Sequence, residues 1–234
     1  MQIVTTPVSS WGVAYSTEDD GDMDSITTTQ RTVAAMLPKT IKGTVVAALK
    51  HGSQRIEVTS GDTQKQVEAD ALLTNDPSCA LSIRVADCIP MVVFDEVHHA
   101  LALIHGGWRS MLQNIVPLTI QEMQIRYMSD PTTLRVWIGP SLRKCCYSLE
   151  HTRIHQEFSE WKPYLIQKDG KQILDVVGAA VDQLIGIGVP KGYIIDSGLC
   201  TYHDKGLHSL WKWKDQGKDV HTYPHFAVVT WMKI

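Results

Sequence analysis

The sequence predicts an α+β fold, with mixed, largely antiparallel β-sheets flanked by helices in layers, within a single domain spanning residues 1–234. Three observations predict it. Four apolar runs between residues 69 and 104 are separated by breaks far shorter than the dozen or so residues of a parallel crossover, so neighbouring strands there pair antiparallel or in a mixed sheet. Strand-type and helix-type patterns alternate irregularly, which fits neither a Rossmann nor a barrel spacing. No internal repeat, low-complexity tract or long Pro/Gly/Ser linker divides the chain.

In chain order, residues 12–17 read as a short strand, with a turn at Asp19-Asp20-Gly21-Asp22. Residues 26–37 read as a helix carrying Val33, Met36 and Leu37 on one face and ended by Pro38. Residues 44–50 are β-branched and apolar, as in a buried strand, and 55–59 form a second short strand. The central strands are 69–74, 79–86, 89–94 and 100–104. Residues 108–127 read as helical, with Met111, Leu112, Ile115, Leu118, Met123 and Ile125 as the apolar face and Pro117 imposing a break or a late start. Residues 133–138 are a strand, a helix is expected near 150–158, and a stronger one over 173–187 closes at Gly186 and Gly188 before Pro190. Strands at 193–195 and 226–231 complete the pattern. Between them, residues 200–223 are rich in His, Trp, Lys and Gly without a clear period, as in a long functional or surface loop.

Composition narrows the function classes. Hydrophobic residues at 44% and charged residues at 20% are ordinary for a globular chain large enough to bury a substantial core. The formal charge is −3 and no basic run stands out, so no nucleic-acid partner is expected. No apolar stretch approaches the roughly 20 residues of a membrane helix. Met1-Gln2-Ile3-Val4-Thr5-Thr6-Pro7 has neither the basic start nor the apolar segment of a signal peptide. Five cysteines, two of them adjacent (Cys145 and Cys146), do not make a disulfide framework. A cytoplasmic protein with reduced thiols is the expectation; a secreted one with a single bridge and a spare thiol is the alternative.

Three segments place a metal-type ligand at the end of an apolar run: Lys50-His51-Gly52, Ala86-Asp87-Cys88 and His105-Gly106-Gly107-Trp108. Strand ends give rigid support at a sheet rim. Two imidazoles and a thiolate suit Zn²⁺ and leave a fourth position open, and Cu²⁺ also accepts this set. Each residue has an ordinary reading too, Cys88 as a small core residue and the histidines as surface or hydrogen-bonded groups. Gly52, Gly106 and Gly107 allow close approach to backbone, while Asp87 and Arg109 add polar groups beside the candidate ligands.

Ala86-Asp87-Cys88-Ile89-Pro90 and His105-Gly106-Gly107-Trp108-Arg109 resemble the A-D-C-x-P and H-A-G-W-R-G motifs of the YfiH-like laccase-domain family, also called multicopper polyphenol oxidoreductases. Lys50-His51-Gly52, Ala69-Asp70-Ala71-Leu72-Leu73-Thr74, Ile138-Gly139-Pro140 with Cys145-Cys146-Tyr147, and Cys200-Thr201 resemble further landmarks of that family in the same order. The resemblance implies a zinc site formed by His51, Cys88 and His105. It also implies purine nucleoside chemistry: phosphorolysis of adenosine, inosine or methylthioadenosine, and deamination of adenosine, with nucleoside and phosphate as the small-molecule partners. The family's older label implies a copper-dependent polyphenol oxidase, although one three-ligand site does not supply the several coppers of a laccase.

The sequence departs from the family pattern at several positions. Leu49 stands for Gln, Val85 for Thr, Ser110 for Gly and Ser148 for Glu. The late F-S-Y-R-R-D-G motif is present only as Leu207-His208-Ser209-Leu210-Trp211-Lys212-Trp213, where Lys212 offers a point charge in place of an arginine fork.

Asp87 and Arg109 are the candidate catalytic residues. Arg109 would position phosphate, or else form a salt bridge at the start of the following helix. Asp87 would protonate the leaving purine, or else hold a ligand histidine from behind. Cys145 and Cys146 read as structural thiols, His98 and His99 as a solvated turn, and His151 and His155 as exposed helix positions. Trp211 and Trp213 would stack on a base or pack, and His203, His208, His221 and His225 cluster where they could line a pocket mouth, though no spacing rule assigns them. Two other readings compete. In one, Cys88 is the nucleophile of a cysteine hydrolase or deamidase activated by His105, like the necrotizing-factor toxins that the family's fold resembles. In the other, the chain binds metal or nucleoside without turnover.

Overall fold

The computed structural model describes residues 2–4, 10–35, 37–63, 65–149 and 159–233. In order these form β1 (Gln2–Val4), β2 (Trp11–Tyr15), α1 (Ile26–Ala34), β3 (Gly43–Ala48), β4 (Arg55–Glu57), β5 (Val67–Glu68), β6 (Ala71–Thr74), β7 (Cys79–Val85), β8 (Ile89–Asp95) and β9 (Ala100–Gly106). Then come α2 (Trp108–Leu112), α3 (Ile115–Tyr127), β10 (Arg135–Ile138), β11 (Leu165–Lys168), β12 (Lys171–Leu174), α4 (Val176–Gly186), β13 (Ile194–Asp196), α5 (Leu210–Asp215) and β14 (Phe226–Met232).

Two six-stranded sheets run β1-β2-β14-β7-β3-β5 and β13-β10-β8-β9-β6-β4. Pairing is antiparallel except at β3–β7, β3–β5, β4–β6 and β10–β13, so the sheets are mixed and largely antiparallel, as expected from the short breaks.

Strand alternation sorts the side chains into layers. Val92, Phe94, Leu101, Leu103 and Trp137 of the second sheet meet Val13, Val45, Leu81, Ile83 and Val228 of the first in a shared core. The opposite face of the second sheet, through Met91, Val93, Ala102 and Ile104, packs on α2, α3 and α4. The outer face of the first sheet, through Ala80, Ala227 and Val229, packs on Val33 of α1. The result is helix, sheet, sheet, helix, with both β8 and β9 buried on two faces.

The structure corrects several sequence readings. Residues 108–127 form two helices, broken at Asn114, whose φ of 57° leaves the right-handed helical region. Pro117 sits in the first turn of α3, where its missing N–H costs little. Ile125 is 78% exposed, and the buried stripe of α3 is instead Ile115, Val116, Thr119, Ile120, Met123 and Tyr127. The helix read over 173–187 begins at Val176. Asp169 (φ 49°) and Gly170 (φ 77°) close a hairpin that claims Ile173 and Leu174 for β12, and Asp175 caps α4 by accepting from the Gly178 amide at 2.8 Å. The loop over 200–223 contains α5, capped by Ser209. The helix expected near 150–158, with His151 and His155, lies outside the described residues, as does Met36. Among the described residues no helix is long and apolar enough to cross a membrane.

Candidate active site

His51, Cys88 and His105 come together at the rim where the two sheets meet. His51 follows β3 of the first sheet, Cys88 sits in the connection from β7 of the first sheet to β8 of the second, and His105 lies in β9 of the second. Their ligand-type atoms all lie within 4.8 Å of one another. The two imidazole rings meet edge to face, 4.8 Å between centres. His51 is exposed, Cys88 half-buried and His105 buried.

One buried carboxylate organises the trio, and sequence reasoning did not assign it that role. Asp70, just before β6, accepts from the His51 amide at 2.8 Å, the Gly52 amide at 2.8 Å and the Lys50 amide at 3.3 Å. The same carboxylate lies 2.9 Å from His105 Nδ1. These contacts fix the loop around His51, which has a positive φ of 58°, and leave Nε2 as the His105 atom open to a ligand. Burial raises the Asp70 carboxyl, but the hydrogen bonds from His105 and the backbone amides outweigh it and hold the pKa low. Gly107 closes the back of the trio. A Cβ there would stand 3.2 Å from His105, 3.3 Å from His51 and 3.4 Å from Cys88.

The electrostatics suit a cation. Burial pushes the Cys88 thiol up, yet the charge and hydrogen bond of His105, with a hydrogen bond from His51, bring it down to about 6. Burial lowers His105, but Cys88 and Asp70 push it up to about 9. Without a metal, Cys88 and His105 therefore form a thiolate–imidazolium pair, and a cation would take the place of the proton.

Two cavities of about 210 Å³ each share His51, Ala86 and Cys88 in their walls. The first is lined by Trp108, Leu142, Tyr147 and Trp211, with Asp87 and Arg109 as its charged groups. Tyr147 and Trp211 meet edge-on at 5.4 Å. The second is lined by Arg84, His105, Tyr223 and His225. Arg84 was missed in the sequence because a cation within a strand looks like a surface ladder position; its guanidinium reaches the Met23 and Asp24 carbonyls.

Asp87 does not hold a ligand histidine. Its two carboxylate oxygens accept from Thr201 Oγ1 at 2.5 Å and the Trp211 amide at 2.9 Å, and Asp70 supplies the histidine contact instead. Burial pushes the Asp87 carboxyl above the usual range against those hydrogen bonds.

Arg109 is exposed and stacks over Trp108, 4.2 Å from the ring centre; among the described residues it forms no salt bridge. Lys212 lies 3.8 Å from Glu18, in a groove away from both cavities, because the N-terminal turn of α5 points Trp211 rather than Lys212 at the trio. Of the late histidines, His225 alone lines a trio cavity, against Tyr223 at 4.5 Å. His98 is held by Asp95 at 2.9 Å rather than simply solvated. Trp213 donates to the Asp219 carbonyl, outside both cavities.

A family model described as multi-copper polyphenol oxidoreductase laccase matches residues 3–222. The chain is 30% identical over 163 residues to a purine nucleoside phosphorylase of Bacteroides thetaiotaomicron, covering 66% of this chain and 60% of the relative. It is also 30% identical over 133 residues to one of Clostridium acetobutylicum, covering 56% of each chain. The matched segments thus span about three-fifths of those relatives' length. Its fold is similar to that of the hypothetical protein YfiH of Bacillus licheniformis, with a TM-score of 0.77 at 22% identity over 95% of this chain and 93% of that one. It is equally similar to YlmD of Geobacillus stearothermophilus, with a TM-score of 0.77 at 22% identity over 96% and 92%. With its motifs in order along the chain, its fold shared and the match running through nearly all its length, this protein belongs to the multi-copper polyphenol oxidoreductase laccase family, the YfiH-like proteins.

Proposed function

We propose that this chain is a cytoplasmic, zinc-dependent purine nucleoside enzyme that cleaves adenosine, inosine or methylthioadenosine with phosphate and deaminates adenosine. The observation that carries this reading is the convergence of a thiolate with two imidazoles, whose loop and ring Asp70 holds, at the wall between an aromatic cavity and a cationic one. The relatives named purine nucleoside phosphorylase support the substrate class.

The donor set fits zinc: the thiol is drawn toward its anion, Nδ1 of His105 is occupied by Asp70, and a Cβ at Gly107 would crowd both imidazoles. Held by His51, Cys88 and His105, zinc supplies Lewis acidity at the cavity wall. Copper also accepts this set. However, the only other such cluster among the described residues is Cys145, Cys146 and Cys200, with no histidine, which is a poor set for a multi-copper oxidase.

The protein's own residues do the rest. Trp211 and Tyr147, which touch edge-on, give the purine an aromatic wall to pack against in the first cavity. Arg109 and Arg84 attract phosphate from the two sides. In phosphorolysis a phosphate oxygen bonds to C1′ of the ribose as the C1′–N9 bond breaks. The electron pair of that bond leaves with the purine, which takes a proton at N7 from Asp87, whose carboxyl burial pushes above its usual range. In deamination water adds at C6, and the amine departs as ammonia.

The test is metal analysis together with an adenosine assay, with and without phosphate, on wild type and Cys88→Ala. About one zinc per chain, with free purine or inosine formed only by wild type, supports the reading. Metal-free wild type, or full turnover in the variant, overturns it.

A second reading has its own observation. Cys88, His105 and Asp70 form a nucleophile, base and orienting carboxylate, as in a cysteine hydrolase. Activity that survives complete chelation would favour it. His51, a third donor with no part in such a triad, favours the metal.

A further inference from the structure

We propose that Cys145, Cys146 and Cys200 form a second cation site, separate from the His51–Cys88–His105 trio, which takes a cuprous ion. The three sulfurs lie within 4.8 Å of one another, with Cys145 and Cys146 Sγ 3.4 Å apart. A cation about 2.3 Å from each of three thiolates spaces them roughly 4 Å apart, inside that range. None of the three forms a disulfide bond.

The backbone holds the sulfurs together independently of any ion. Cys145 and Cys146 sit on a turn closed by the Cys146 amide donating to the Arg143 carbonyl at 2.8 Å. Cys200 is brought beside that turn by its bridge to Ser141, with the Thr201 amide donating to the Ser141 carbonyl at 3.0 Å. Arg143 ties the two segments, donating to the Leu199 carbonyl at 3.0 Å and to the Gly139 carbonyl at 3.0 Å while pairing with Asp196 at 2.7 Å. The Asp204 carboxylate accepts from the Cys200 amide at 2.7 Å.

The donors choose the ion. Three sulfurs are soft ligands, which favour Cu(I) and Zn²⁺ over harder cations. Zinc is four-coordinate in structural sites, and no histidine or carboxylate joins this group among the described residues. Cuprous ion accepts three thiolates without a fourth donor. Cys145 is exposed and gives the ion a way in, while Cys200 is buried and shields it from water. On binding, each thiol releases its proton to solvent, and copper keeps its oxidation state. Cys145 and Cys146 were read from sequence as structural thiols; the exposure of Cys145 and the third sulfur from a segment 54 residues further on argue for a ligand role.

The experiment uses the full chain carrying Cys88→Ala, which disables the first site, reduced and titrated anaerobically with Cu(I) against a chromophoric cuprous chelator, with zinc in parallel. One Cu(I) per chain is expected, with X-ray absorption reporting sulfur neighbours only. Adding Cys145→Ser, at an exposed position where circular dichroism checks the fold, weakens Cu(I) binding by more than the roughly 10- to 100-fold that loss of an outer partner costs a metal site. Failure to retain Cu(I), an unchanged affinity in Cys145→Ser, preference for zinc over Cu(I), or a disulfide among the three cysteines in the isolated protein would each overturn the proposal.

Discussion

At the scale of single residues, Asp70 and the Cys88–His105 pair make the clearest predictions. Asp70 uses one carboxylate to hold three amides of the His51 loop and His105 Nδ1. An amide in its place would turn an NH₂ toward at least one of these donors. Asp70→Asn is therefore expected to weaken zinc binding by about 10- to 100-fold, read by competition with a zinc chelator. In the metal-free protein, Cys88 ionises as pH rises through about 6 rather than in the ordinary thiol range, and His105 keeps its proton up to about 9. Cys88 alkylation by iodoacetamide is thus expected to reach half its maximal rate near pH 6 and to fall below it. Zinc should protect the thiol, and His105→Ala should move the midpoint upward; a midpoint unmoved by His105→Ala would count against the pair.

These residues were legible to different degrees. His51, Cys88 and His105 each stand at the end of an apolar run, which is a pattern a sequence displays. Asp70 also stands beside a strand, but its role depends on a loop 18–20 residues earlier and a histidine 35 residues later, contacts that spacing does not encode. Asp87 lines the first cavity, and of its two open roles that of holding a ligand histidine is not the one its contacts show, because adjacency to Cys88 in sequence says nothing of where a residue with φ of 86° aims its carboxylate.

At the scale of elements, local chemistry explains both the successes and the misses. The central strands were legible because they are buried on both faces and read as continuous apolar runs. The β11–β12 hairpin was missed because the periodic apolar pattern of α4 runs backward into Ile173 and Leu174, while the signal that stops it is the two-residue Asp169-Gly170 turn. Helix α3 ends at Met128, an exposed non-glycine residue at φ 58° whose amide closes the helix on the Gln124 carbonyl. A left-handed conformation costs most residues about 1–2 kcal/mol and glycine little. Met128→Gly is accordingly expected to stabilise the protein by about 0.5–1 kcal/mol after glycine's extra chain entropy, measured by urea unfolding; a loss of stability would contradict the cap geometry.

At the scale of the whole molecule, the packing of the two sheets sets the site. Trp137 is buried between them, stacked on Tyr15 at 6.5 Å. Trp137→Ala is expected to cost about 3–5 kcal/mol in unfolding free energy, measured by denaturant titration at fixed zinc. Layer order and inter-sheet register were not legible in the sequence, since alternation tells which residues are buried but not which sheet they face. The seam itself has one more consequence. Because His51 follows a strand of one sheet, His105 lies in a strand of the other and Cys88 sits in the connection between them, the spacing of the three donors depends on the distance between the sheets. Conservative substitutions deep in that seam, such as Phe94→Leu or Leu103→Val, remove no donor atom, yet a slide of a fraction of an ångström would be magnified into altered ion selectivity. Any metal preference of the proposed site would then be tuned from the interior, by residues that supply no ligand.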